Sequence, residues 1–150
     1  MAEEQLVVFR LGKEEYAVSI TQVKEIIHYK GTTKMPNTPA YMKGIINLRG
    51  KVIPVIELAM RFGVGAGCAV DRRVVIVETA GQEVGIVVDE VTEVIRLQEA
   101  AIEPVPTMSA SNDYVRGIGK DKDRLLIILD LAKLFRKDEL EEIQSSHSVT

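Results

Sequence analysis

An ungapped internal repeat is the feature that most limits what this chain can fold into. Laid over residues 75–95, residues 7–27 put Val7 on Val75, Glu15 on Glu83, Val23 on Val91, Glu25 on Glu93 and Ile27 on Ile95. Between these, Val8 falls on Ile76, Val18 on Ile86 and Ile20 on Val88. A second block repeats in its own register. Tyr41-Met42-Lys43-Gly44-Ile45 lies on Tyr114-Val115-Arg116-Gly117-Ile118, then Glu57-Leu58-Ala59 on Asp130-Leu131-Ala132 and Phe62 on Phe135. Apolar strands match by chance, but two blocks in the same order point to a unit built twice.

The repeated unit reads as β. Leu6-Val7-Val8-Phe9-Arg10-Leu11, a Gly12-Lys13 turn and Tyr16-Ala17-Val18-Ser19-Ile20 form a strand, turn and strand. Residues 23–27 alternate, with Val23, Glu25 and Ile27 on one face. Residues 45–48 and 52–56 flank Arg49-Gly50-Lys51 as a hairpin, and Pro54 there is expected on an edge or at a bulge because it has no N–H to donate. Strands resume at 73–78, 83–88, 91–95 and 125–129, with one helical turn over 97–102 ended by Pro104 and Pro106. Short helices are expected at 58–62, at 131–136 behind an Asp130 cap, and after Asp138. Residues 63–67 read as a glycine linker, 107–113 as a polar loop and 145–150 as a frayed tail. The expected organisation is one domain of two subdomains, about 6–62 and 73–136, followed by a C-terminal helix and tail over 137–150. Units this small bury little alone, so they should share an apolar seam, and closed barrels would remove their sheet edges.

Composition excludes several functions. With 22 acidic against 19 basic residues the net charge is −3, the wrong sign for a nucleic-acid binder. The longest charge-free apolar-leaning stretch spans residues 62–70, short of the roughly 18 apolar residues a membrane-spanning helix needs. The Met1-Ala2-Glu3-Glu4-Gln5 start is acidic, unlike a secretory signal, and the single Cys68 cannot form an internal disulfide. The expected compartment is the cytoplasm.

No catalytic constellation stands out. His28 and Cys68 could be imagined as base and nucleophile, but a strand-end histidine and a loop cysteine describe them better. Cysteine and histidine are too few for a zinc site. Asp121-Lys122-Asp123 lacks the glycine and the twelfth-position glutamate of a calcium loop and reads as a hairpin tip. Gly63-Val64-Gly65-Ala66-Gly67 lacks the Lys-Ser or Lys-Thr of a phosphate loop. Glu25 and Glu93, equivalent in the repeat, read as solvated carboxylates. No enzyme, no cofactor and no metal are expected. With 5% aromatic residues and no tryptophan, a cleft between two Val- and Ile-rich units suits an amphipathic helix better than a small molecule.

One stretch is specific. Gly44-Ile45-Ile46-Asn47-Leu48-Arg49-Gly50-Lys51-Val52-Ile53-Pro54-Val55-Ile56-Glu57-Leu58 closely resembles the signature of the chemotaxis coupling protein (CheW) family. Glu15-Tyr16-Ala17-Val18, Val23-Lys24-Glu25-Ile26, Asn37-Thr38-Pro39 and Val84-Gly85-Ile86-Val87-Val88-Asp89-Glu90-Val91 extend the likeness over about residues 6–135. The resemblance implies an all-β fold with short helices: two five-stranded SH3-like barrels around a common hydrophobic core. It also implies a non-enzymatic adaptor joining the helical hairpin tip of chemoreceptors to the regulatory domain of the histidine kinase CheA. From it we expect a receptor groove at Val23, Glu25, Gly44, Arg49, Gly50, Gly85, Val91 and Val94, and a kinase contact at Ile20 and Val52. Glu25 and Arg49 are expected to pair across adjacent strands, since the guanidinium fork can meet a carboxylate with two hydrogen bonds. Two similar ends that each meet the opposite lobe of a kinase would make head-to-tail contacts and hence rings or arrays. The competing readings are a regulator that binds the kinase alone and a small-ligand-binding β-barrel.

Overall fold

The computed structural model describes residues 3–38, 41–59, 72–79, 81–104 and 115–131. It is all-β. In chain order the strands are β1 (Glu3–Leu11), β2 (Glu14–Ser19), β3 (Val23–His28), β4 (Met42–Leu48), β5 (Lys51–Glu57), β6 (Arg73–Thr79), β7 (Gln82–Val88), β8 (Glu90–Gln98), β9 (Ile102–Glu103), β10 (Val115–Asp121) and β11 (Arg124–Leu129). Single 3-10 turns stand at Ile20–Gln22 and Glu99–Ala101. The strands form a six-stranded sheet, β8-β1-β2-β11-β10-β9, and a five-stranded sheet, β3-β6-β7-β5-β4.

This order corrects the expected division into subdomains at 6–62 and 73–136, because each sheet takes strands from both halves of the chain. In the repeat register β1, β2 and β3 correspond to β6, β7 and β8, while β4 and β5 correspond to β10 and β11. Each sheet therefore holds the first two strands of one half flanked by later strands of the other, three of them in the five-stranded sheet and four in the six-stranded one. The exchange is carried by equivalent parallel pairings, Ala17 beside Ile128 and Gly85 beside Val55.

Strands β1, β6 and β7 carry near-continuous apolar runs because both of their faces are buried. Along β1, Val7 and Phe9 enter a core between the sheets, while Leu6 and Val8 enter a second core behind the six-stranded sheet. Along β6, Val75 and Val77 enter the shared core, and Val74 and Ile76 a third core behind the five-stranded sheet. Period-two alternation thus sorts one apolar run between two interiors.

Pro54 is not on an edge strand, since β5 lies between β7 and β4. It is tolerated because the β5–β7 ladder begins only at Val55, so the missing N–H falls just outside it. Asp121-Lys122-Asp123 is the tip of the β10–β11 hairpin. The helical turn expected over 97–102 shrinks to Glu99–Ala101, and Ile102–Glu103 pair with β10 instead. Leu58, Ala59 and Leu131 are helical, but the rest of the helices expected at 58–62 and 131–136, the C-terminal helix and tail over 137–150, the linker at 63–67 and the loop at 107–113 lie outside the described residues.

Candidate functional site

The β4–β5 hairpin carries the Arg49 signature on a two-residue turn. Arg49 and Gly50 have φ of 51° and 83°, the left-handed pair that matches the twist of a tight hairpin. Arg49 adopts this conformation at a cost glycine would avoid. Asn47 holds it there, its Oδ1 accepting the Gly50 N–H at 2.8 Å. The turn aims the Arg49 guanidinium at Glu25 on β3, where Nη1 donates to Oε2 at 3.0 Å and Nη2 to Oε1. Arg49 holds the Glu25 carboxyl below the usual carboxylate range, chiefly through these hydrogen bonds, and Glu25 raises Arg49 in return.

The pairing is present, but not across adjacent strands: β3 and β4 are the two edges of the five-stranded sheet. Laid flat, edges four spacings apart would be roughly 19 Å from each other. The sheet therefore curls until its edges face. A bridge between Thr33 and Ile45, with bonds of 2.9 and 2.8 Å, joins the same two sides further along. The six-stranded sheet has a counterpart, for Arg124 on β11 donates to Glu93 on β8, to Glu15 on β2 and to Asp121, and these carboxylates push its pKa up.

Val23 and Val91 occupy equivalent places, each half-buried against the core between the sheets. Val94 pairs with Val7, whose side chain is in that core, so Val94 stands on the same face and is 50% exposed. These three valines therefore border the seam. Gly44 and Gly85, expected in the groove, are instead buried packing positions. A Cβ on Gly44 (φ 147°) would overlap the Thr33 carbonyl, and one on Gly85 would lie 2.9 Å from Val74 Cγ1. A Cβ on Gly117, the repeat equivalent of Gly44, would likewise lie 2.8 Å from the Glu103 carbonyl oxygen. Of the two expected kinase contacts, Val52 is 48% exposed at the start of β5, while Ile20 is half-buried against the shared core.

Sequence reasoning missed a buried ionic cluster. Arg72 donates to both oxygens of Glu57 at 2.6 and 2.7 Å, and its Nε lies 3.6 Å from Oδ1 of Asp89. Oδ2 of Asp89 accepts the Gly12 N–H at 2.7 Å, and the Arg72 guanidinium lies over the Tyr29 ring at 5.9 Å. The cluster ties the β1–β2 turn of one sheet to β5 and β6 of the other. Its signal was a carboxylate ending each of two doubly buried strands, Glu57 after β5's apolar run and Asp89 after β7's. Among the described residues no group of three or more His, Cys, Asp or Glu could hold a metal, and no helix is long and apolar enough to cross a membrane.

Comparison with known proteins adds independent findings. The family model described as "CheW-like domain" matches residues 5–139. The chain is 41% identical over 136 residues to the chemotaxis protein CheW of Helicobacter pylori, covering 89% of this chain and 82% of the relative. It is 37% identical over 150 residues to CheW of Klebsiella aerogenes, covering 96% and 90%. The crystal structure of the scaffolding protein TtCheW from Thermoanaerobacter tengcongensis superposes with a TM-score of 0.84 at 43% identity, covering 92% of this chain and 96% of that one.

Proposed function

The chain belongs to the CheW-like domain family of chemotaxis scaffold proteins, and on that premise we propose that it is a non-enzymatic cytoplasmic adaptor coupling chemoreceptors to the histidine kinase CheA. Each sheet is read as an SH3-like barrel with its own apolar interior, the two sharing the core between them. The facing edges of the five-stranded sheet support that reading, since a sheet whose ends meet is closed or nearly so.

The seam between the sheets is the receptor groove in this reading. Val23, Val91 and Val94 border it with apolar surface, and a helix of the receptor tip lays its own apolar stripe there. Glu25 pairs with Ile76 and so stands on the sheet's other face, where its carboxylate holds Arg49 and with it the Arg49-Gly50 turn in an exposed pose beside the groove. Gly44 and Gly85 contribute by letting strands pack closely beneath that surface. Val52, exposed at the start of β5, and Ile20, half-buried at the edge of the shared core, are the kinase contacts in this reading. The observation that carries the proposal is this grouping of an apolar border and an immobilised arginine on a fold whose family members are scaffolds.

Binding of the full chain to a receptor-tip fragment and to the kinase regulatory domain, measured separately and then together, tests the proposal. Capture of both partners at once, with the receptor arm weakened by Val94→Asp and the kinase arm by Val52→Asp, is the expected result. Binding of the kinase alone would reduce the protein to a regulator of the kinase, and turnover of a metabolite by the purified chain would overturn the adaptor reading.

A further inference from the structure

A slot of about 470 Å³ lies where the two edges of the five-stranded sheet face each other without pairing. It abuts the proposed receptor surface at the Glu25–Arg49 pair, but its lining residues belong to neither the proposed receptor nor the proposed kinase surface. Its floor is apolar: Ile27, Ile46, Leu48 and Val74, all belonging to the core behind that sheet. Its ends are shut, one by the Thr33–Ile45 bridge and the other by the Glu25–Arg49 pair. Only Ile46, Asn47 and Leu48 separate these closures along β4, about 10 Å of strand. A partner strand cannot thread so short an opening, so the slot takes a compact group entering from outside.

Among the described lining residues the one formally charged side chain is Lys30. Ile45 exchanges both backbone hydrogen bonds with Thr33, so Asn47, two residues on, turns its N–H to the same open side. Lys30 stands on the rim, and among the described residues no carboxylate lines the slot. An apolar floor, a cationic rim and a backbone N–H without a strand partner match a ligand with an apolar body and an anionic head. The volume suits a small molecule.

We infer that this slot binds a small amphipathic anion, an aliphatic or aromatic carboxylate, with its body on Ile27, Ile46, Leu48 and Val74 and its head at Lys30 and the Asn47 N–H. The inference stands independently of the adaptor reading.

Amide NMR of the full chain titrated with octanoate, octanol or octylammonium tests it. Octanoate is expected to shift the amides of residues 27–33 and 45–48, with octanol weaker and octylammonium weakest. Lys30→Glu, at an exposed position, should weaken octanoate roughly two- to fivefold, the span of one exposed ion pair. Ile46→Trp should fill the slot and remove the response. Equal responses to octanoate and octanol would overturn the choice of an anion. Shifts confined to the seam valines, or none at all, would overturn the site. Sedimentation of the protein with phosphatidylglycerol vesicles, without octanoate shifts at the slot, would replace a free carboxylate with a lipid surface and overturn it as well.

Discussion

Glu25 and Arg49 lie on opposite edges of one five-stranded sheet, yet they share two hydrogen bonds because the sheet curls until those edges face. The pair is solvent-exposed, so it contributes little to folding; its effect is to hold the Arg49 hairpin in one pose. Glu25→Lys and Arg49→Glu should each weaken binding of the receptor-tip fragment while leaving the melting temperature nearly unchanged. The double exchange should recover part of the loss, because it restores the pairing with reversed polarity. Normal binding by both single variants would show that the pairing has no part in recognition.

The same pair gives a pH prediction. Arg49 depresses the folded-state pKa of Glu25, so the unfolded chain takes up that proton first as pH falls. The stabilisation is complete above the ordinary glutamate value of 4.5 and is lost as pH drops through the lower folded value. Carboxyl-carbon NMR should place the Glu25 midpoint below the ordinary glutamate value of 4.5, and Arg49→Ala should raise it. A Glu25 midpoint unmoved by Arg49→Ala would mean that the pair does not persist in solution.

Much of this architecture was legible in the repeat, and the exchange of strands between halves was not. Ala17 and Gly85 are equivalent, as are Ile128 and Val55, so pairing within a half and pairing across halves bury the same residue types. Which occurs is a matter of chain connection, and periodicity carries no information about it. Glu25 and Arg49 could be matched as charges, but the reason they meet could not be seen before the sheet order. Gly44 and Gly85 illustrate another limit. A motif marks them as important without distinguishing a glycine that touches a partner from one whose Cβ would strike a neighbouring strand.

Arg72 illustrates the deepest gap, for Asp71-Arg72-Arg73 looks like ordinary surface charge. In the fold the Arg72 side chain is 13% exposed and that of Glu57 only 2%. Arg72→Met would leave the Glu57 and Asp89 carboxylates buried without their cation, a loss of about 3–5 kcal/mol. Urea denaturation should show a lower midpoint with an unchanged slope. A loss of less than about 1 kcal/mol, the level of an exposed pair, would mean that the cluster is solvated.

Gly44 and Gly50 offer a matched comparison, since both have positive φ but different surroundings. Nothing approaches within 4 Å of a Cβ built on Gly50, whereas one on Gly44 meets the Thr33 backbone. Gly50→Ala should cost only the conformational strain, about 1–2 kcal/mol. Gly44→Ala adds an overlap that cannot be relieved without breaking the Thr33–Ile45 bridge, so its cost should exceed that of Gly50→Ala. Thermal unfolding of the two variants side by side reads the difference. Equal costs would show that the bridge yields freely.

The large hydrophobic side chains left exposed among the described residues are Ile26, Val52, Val94 and Leu125, and they form two repeat-equivalent pairs, Ile26 with Val94 and Val52 with Leu125. Val52 is 48% and Leu125 63% exposed, each near the start of the strand that follows a hairpin turn. If Val52 docks one lobe of the kinase, Leu125 presents the same position on the other sheet for a second docking partner. Two unlike contacts of this kind link head to tail and close into rings when the rotation allows. Val52→Asp should therefore abolish one-to-one binding of the kinase regulatory domain. Leu125→Asp should preserve that binding but stop growth to larger assemblies in light scattering of the mixture. Both positions tolerate charge in the free protein, so unchanged melting temperatures would tie the losses to docking. Large assemblies surviving Leu125→Asp would show that the second sheet takes no part in them.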